Sequence, residues 1–113
     1  MKFKAYKSVY IPHLRHTVHF ADLSKLVLMG DKVRGSGYTM PFSEHETYVF
    51  YQDIEKTVKD PIQAPIIAHE LVHVIAILLE KIGGKIEKED EHMAYLMTYL
   101  YEKLLGLKLW PSK

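Results

Sequence analysis

The longest apolar run in the chain starts at Ala64-Pro65-Ile66-Ile67-Ala68, passes through His69-Glu70-Leu71-Val72-His73, and continues as Val74-Ile75-Ala76-Ile77-Leu78-Leu79 to Ile82. Apart from Lys81 in the last turn, only His69, Glu70, His73 and Glu80 break it. A helix that is apolar nearly all round is a buried one, so the pattern predicts a core helix over 66–82. Pro65 suits a first-turn position, where its missing N–H would have had no partner. Gly83-Gly84 supply a left-handed stop, and Lys81 complements the helix dipole. The polar residues at the centre leave apolar stretches too short for a membrane span.

A second helical period follows an acidic entry, Lys85-Ile86-Glu87-Lys88-Glu89-Asp90-Glu91-His92. Met93, Met97, Leu100 and Leu104 recur at three-to-four spacing, and Gly106 closes the segment. Upstream the period is two. Lys2 to Ile11 alternates and ends at Pro12, which predicts a half-buried strand. Arg34 to Phe42 reads as a strand entered through a glycine-rich turn, and Ser43-Glu44-His45-Glu46 as a turn. Thr47-Tyr48-Val49-Phe50-Tyr51-Gln52 is the strongest strand signal. Asp22 is expected to cap a short helix through Leu28 or Met29, ended by Gly30. Asp53 to Asp60 reads as a charged connector, and Asp60-Pro61 with Pro65 as the entry to the long helix. His13, His16 and His19 are spaced by three; on a strand His16 faces away from the other two, and solvated or hydrogen-bonded histidines are expected. The expected fold is α+β: a small antiparallel or mixed sheet, the long helix across it, and a second, C-terminal helix.

Composition narrows the chemistry. The chain of 113 residues, 48% hydrophobic, is expected to form a single domain over 1–113 with a real core. A net charge of +1 gives no electrostatic footprint for nucleic acid, so no nucleic-acid partner is expected, and with no membrane span read in the long apolar run no membrane partner is expected either. No cysteine is present, which excludes disulfides and thiolate metal sites and leaves His and carboxylate as ligands. The first residues, Met1-Lys2-Phe3-Lys4-Ala5-Tyr6-Lys7, lack an apolar signal region, and a cytoplasmic location is expected. Trp110 in the short tail is expected to dock on the core.

His69 and His73, four apart on a helix, point the same way, so two imidazole nitrogens can reach one cation. Glu70 projects beside that cation as a base for water. With seven histidines in 113 residues, His-Glu-x-x-His arises by chance in roughly 3% of random orders, so the motif needs context. Its helix is one part of that context, and a third ligand is the other. From His73 to Ile82 the helix travels roughly 13 Å. The segment from Gly84 to Asp90 spans up to roughly 23 Å when extended. The second helix can therefore begin beside the metal, with Glu91 as ligand and Ala94 permitting close approach. His92 and Glu89 are the rivals, and His92 lies about 100° round the helix from Glu91.

His69-Glu70-x-x-His73 followed by Glu91-His92-Met93-Ala94-Tyr95 resembles the minimal gluzincin metallopeptidases. These include small phage-encoded metallopeptidase-like proteins and the catalytic cores of a repressor-cleaving, radiation-response family. The likeness covers about the last fifty residues. Tyr95 stands where the repressor-cleaving group usually has Asn, so the likeness favours the phage type. The resemblance implies His69, His73 and Glu91 as ligands of one zinc ion and Glu70 as catalytic base. It also implies a protein or peptide substrate. In zincins an extended peptide pairs with an edge strand beside the active-site helix, and one of the two strands between Tyr38 and Gln52 is placed to be that edge. An ordinary packed strand has the same pattern. Tyr95, Tyr48, Tyr51 and His45 are the available donors to an oxyanion, with Tyr95 ranked first beside its expected role as a packed core tyrosine. Two other readings fit the residues: a non-catalytic, zinc-stabilised phage or host interaction protein, and a metal-free binding module.

Overall fold

The structure, a computed structural model, describes residues 3–28, 31–32, 35–83 and 90–106. Six strands are described: β1 (Lys7–Ile11), β2 (His16–Asp22), β3 (Val27–Leu28), β4 (Asp31–Lys32), β5 (Gly37–Ser43) and β6 (Glu46–Tyr51). The helices are α1 (Ile54–Thr57), α2 (Ala64–Lys81) and α3 (Asp90–Leu105). Four strands form a mixed sheet in the order β1-β2-β6-β5, while β3 and β4 make a separate antiparallel pair. β1 is antiparallel to β2, β2 is parallel to β6, and β6 is antiparallel to β5. The expected α+β class holds, with the mixed form of the sheet.

Period-two patterning sorts the strand residues onto two faces. Val9, Ile11, Val18, Phe20, Val49 and Tyr51 are buried with the inner faces of α2 and α3. The opposite face carries a second apolar cluster of Ala21, Leu23, Leu26, Tyr48 and Phe50, with Phe3, Tyr38 and Met40 packed against it. Helix α2 buries Ile67, Leu71, Val74, Ile75, Leu78 and Leu79, and α3 buries Leu96, Leu100 and Leu104. Positive-φ Gly83 and Gly106 follow the two helices, as their sequence positions predict. Contrary to the expectation that its apolar stretches are too short, the segment Pro61–Lys81 is long and apolar enough to cross a membrane by length and composition; 39% of its apolar window is buried inside the molecule, the inner stripe packing in the main core.

Polar contacts pin the helices to the strands. The Tyr51 hydroxyl, on β6, donates to the Ile67 carbonyl of α2 at 2.8 Å. Burial and the nearby Glu70 carboxylate both push the Tyr51 phenol pKa up, keeping it a neutral donor. Tyr101 of α3 donates to the Ala64 carbonyl at 2.9 Å, and Tyr99 to the Tyr10 carbonyl at 3.0 Å. Lys7 Nζ donates to the Lys103 carbonyl at 2.8 Å.

Two expectations change. Asp22 does cap a turn, its carboxylate accepting from Ser24 N at 3.0 Å, but that turn is a single 3-10 turn, Leu23–Lys25. The chain then extends into β3, where Val27 and Leu28 pair with Lys32 and Asp31 instead of continuing a helix. The connector after β6 contains α1, with Ile54 and Thr57 buried. Gly84, Glu89 and Trp110 lie outside the described residues.

The histidines at three-residue spacing part company. His13 lies in the 3-10 turn Pro12–Leu14, His16 is buried on the helix side, and His19 faces the other way with Nδ1 2.7 Å from Ser8 Oγ. His16 Nε2 meets Thr47 Oγ1 at 2.7 Å. Burial, and then the Lys81 ammonium, lower its pKa from 6.5 to about 4. The unfolded chain therefore takes up this proton near pH 6.5 and the folded one only near pH 4. Stability is complete above pH 6.5 and falls as the pH drops towards 4, by about 3 kcal/mol in all. Urea unfolding midpoints measured across that window are expected to drop for the wild type, with a shallower slope for His16→Gln.

Candidate functional site

Rolling the buried stripe of α2 into the core leaves His69, His73, Ala76 and Glu80 on its outer side. There they line a groove with Ile77 and with Gly37, Tyr38 and Thr39 of β5. A second concavity, lined by Ser36, Gly37, Pro65, Ile66, His69 and Glu70, continues it towards the start of the helix. β5 ends the sheet, so its outer backbone edge is unpaired within the described sheet.

Glu70 lies between helix and strand, 6% exposed. An unpaired buried carboxylate is costly, and β5 answers with a donor: Thr39 Oγ1 donates to Glu70 Oε1 at 2.8 Å. The other oxygen, Oε2, is 3.9 Å from His69 Nε2. Gly37 makes the space. A Cβ built there would lie 2.7 Å from Glu70 Cγ and 3.1 Å from Oε2. The strand residue facing the carboxylate thus leaves room by lacking a side chain, and the one two further along supplies a hydroxyl.

The two histidines of α2 converge, with His69 Nε2 and His73 Nε2 3.3 Å apart and the rings nearly perpendicular, at 77°. Two nitrogens bound tetrahedrally at about 2.0–2.1 Å from zinc are about 3.3–3.4 Å apart. The spacing of the pair equals that separation, and it is also within reach of a hydrogen bond between the two imidazoles. Among the described residues, however, no three His, Asp or Glu side chains gather into a metal-holding group.

Glu91 is exposed on the first turn of α3, and Ala94 and Tyr95 are exposed on the same helix. The structure does not bring Glu91 into a group of three with His69 and His73. His92 turns to the β1–β2 corner, its Nε2 3.2 Å from His13 Nε2. Tyr95, expected in the core, is 59% exposed and stacks on Tyr99. Tyr48 packs on the far face of the sheet, Tyr51 is committed to Ile67, and His45 Nδ1 lies 3.1 Å from the Arg15 carbonyl. None of these lines the groove; the tyrosine that does is Tyr38. Sequence reasoning missed Gly37 and Thr39 as partners of Glu70. The alternation Gly37-Tyr38-Thr39, with a small residue on either side of an aromatic one, was the available signal. Glu80 was legible only as a polar break.

Gly37→Ala is expected to cost about 1–3 kcal/mol, since the added methyl would meet Glu70 Cγ at 2.7 Å and force that side chain off its contact with Thr39. In a Glu70→Ala background the same change is expected to cost little, because the three nearest atoms are gone. Chemical denaturation of the four proteins of that cycle measures the coupling. Compared with known protein families, with curated proteins and with solved structures, the chain matches none of them.

Proposed function

We propose that this chain is a zincin-type peptidase of the gluzincin kind, binding one zinc ion and hydrolysing peptide bonds of a protein or peptide substrate. The observation that carries this reading is the 3.3 Å convergence of His69 and His73 beside a buried Glu70, in a groove bounded by an edge strand. His69 and His73 are two of the ligands, and Glu91 is the third. The choice of Glu91 rests on the resemblance and on the reach of the chain between the helices; the Tyr101–Ala64 hydrogen bond ties the end of α3 to the start of α2. Bound by the two histidines and Glu91, zinc supplies Lewis acidity that brings the pKa of water towards neutrality and polarises a peptide carbonyl.

The remaining work falls to the chain's own residues. Thr39 engages Oε1 of Glu70 and so leaves Oε2 turned to the histidine side. Oε2 takes the proton of the attacking water and passes it to the leaving amine. β5 offers its outer N–H and C=O groups to an extended peptide, which then runs along the groove past His69 and Glu70. Of the two strands the sequence left open for this role, β5 is the sheet edge and β6 is interior.

Elemental analysis of tag-free protein and cleavage of a fluorogenic peptide library test the reading together. The wild type is expected to carry zinc, with that site lost in His73→Ala and Glu91→Ala. Glu70→Gln is expected to keep the ion and lose cleavage by about 10²-fold or more. Cleavage by Glu70→Gln at the wild-type rate, or a wild type that takes up no zinc at this pair, overturns the assignment.

A further inference from the structure

We infer that His13 and His92 form a second divalent-metal site, distinct from the His69–His73 pair and independent of the peptidase reading. Their Nε2 atoms are 3.2 Å apart, with ring centroids at 5.4 Å and planes inclined by 40°. That spacing matches, within about 0.2 Å, the separation of two nitrogens sharing a tetrahedral ion. The two residues come from remote parts of the chain: His13 from the turn between β1 and β2, His92 from the first turn of α3.

The convergence is built in by the surrounding fold. Leu14 and Met93, the neighbours of the two histidines, both pack against the main core. Arg15, left-handed at φ 49°, closes the turn with its N–H on the Pro12 carbonyl at 3.1 Å. Two turns along α3, Tyr99 donates to the Tyr10 carbonyl just before the turn. Tyr95 flanks His13, its ring 6.5 Å away. The backbones carrying the imidazoles are thus held at chelating distance by contacts that involve no metal. His13 is exposed and His92 half-buried, so an ion can enter from solvent.

Two imidazoles suit zinc, nickel or copper(II) and not magnesium or calcium. With water in the other positions, such a site binds more weakly than one with three protein ligands. An ion held there staples the β1–β2 corner to the start of α3, next to Glu91.

Zinc sulfate titrated into tag-free, chelator-stripped protein, followed calorimetrically, tests the site. The wild type is expected to bind one more zinc ion than His13→Ala, and His73→Ala is expected to keep the His13-dependent ion. Should the alanine variant fail to fold, judged by circular dichroism, His13→Gln keeps the bulk and removes the imidazole. Equal zinc stoichiometry and affinity in the wild type and the folded His13 variant overturns the inference. A single wild-type ion that disappears in His13→Ala and survives in His73→Ala supports it, while removing the metal from the peptidase reading.

Discussion

A carboxylate that leaves water has to be met by a donor, and in this fold that requirement falls on Glu70. The strand beside it supplies a hydroxyl at Thr39 and bare backbone at Gly37, so helix and strand close on each other only in one rotational setting of α2. One turn earlier, the Tyr51 hydroxyl grips the Ile67 carbonyl and fixes the helix along its axis. With rotation and translation both set, the buried stripe from Ile67 to Leu79 meets the sheet, and His69 and His73 are left facing outward. The orientation of the histidines is therefore a by-product of how Glu70 is satisfied.

The third helix is held differently. Its inner face, Leu96, Leu100 and Leu104, is an ordinary apolar stripe that specifies burial but little direction. Direction comes from tyrosines whose rings cover the core while their hydroxyls reach backbone carbonyls: Tyr101 on Ala64 and Tyr99 on Tyr10. A neutral phenol does this at small desolvation cost, and burial raises the Tyr101 pKa, which favours the protonated donor form. The result joins both sheet edges to the helical layer, with α2 over β5 and α3 over β1.

Much of this is legible in the sequence alone. The long apolar run with its Pro entry and Gly exit, the strand at 47–52 and the stripe of the last helix all state their structure through period and punctuation. The histidine pair was legible because four residues on a helix is a fixed geometry. What could not be read was everything decided by tertiary pairing. Asp22 looks the same before a full helix as before one 3-10 turn, and only the pairing of Val27 with Lys32 decides between them. The parallel pairing of β2 with β6, with the intervening strands placed elsewhere, leaves no local trace. Gly37 reads as turn flexibility although it serves as clearance for Glu70. His13 and His92, seventy-nine residues apart, meet only because strand and helix carry them to one corner.

The composition of β5 has a consequence for how the molecule behaves in company. Its outer edge in the described sheet is interrupted at Pro41, which has no N–H to offer, and its register shifts between Pro41 and Ser43. A guest strand can therefore find regular partners only along the first half of β5, beside Glu70 and the histidines. Long hydrophobic edges invite copies of a protein to stack into fibrils, and an edge cut short by proline and a bulge resists that. The same interruption that shortens the regular run of this edge makes it a poorer template for a second copy of the chain.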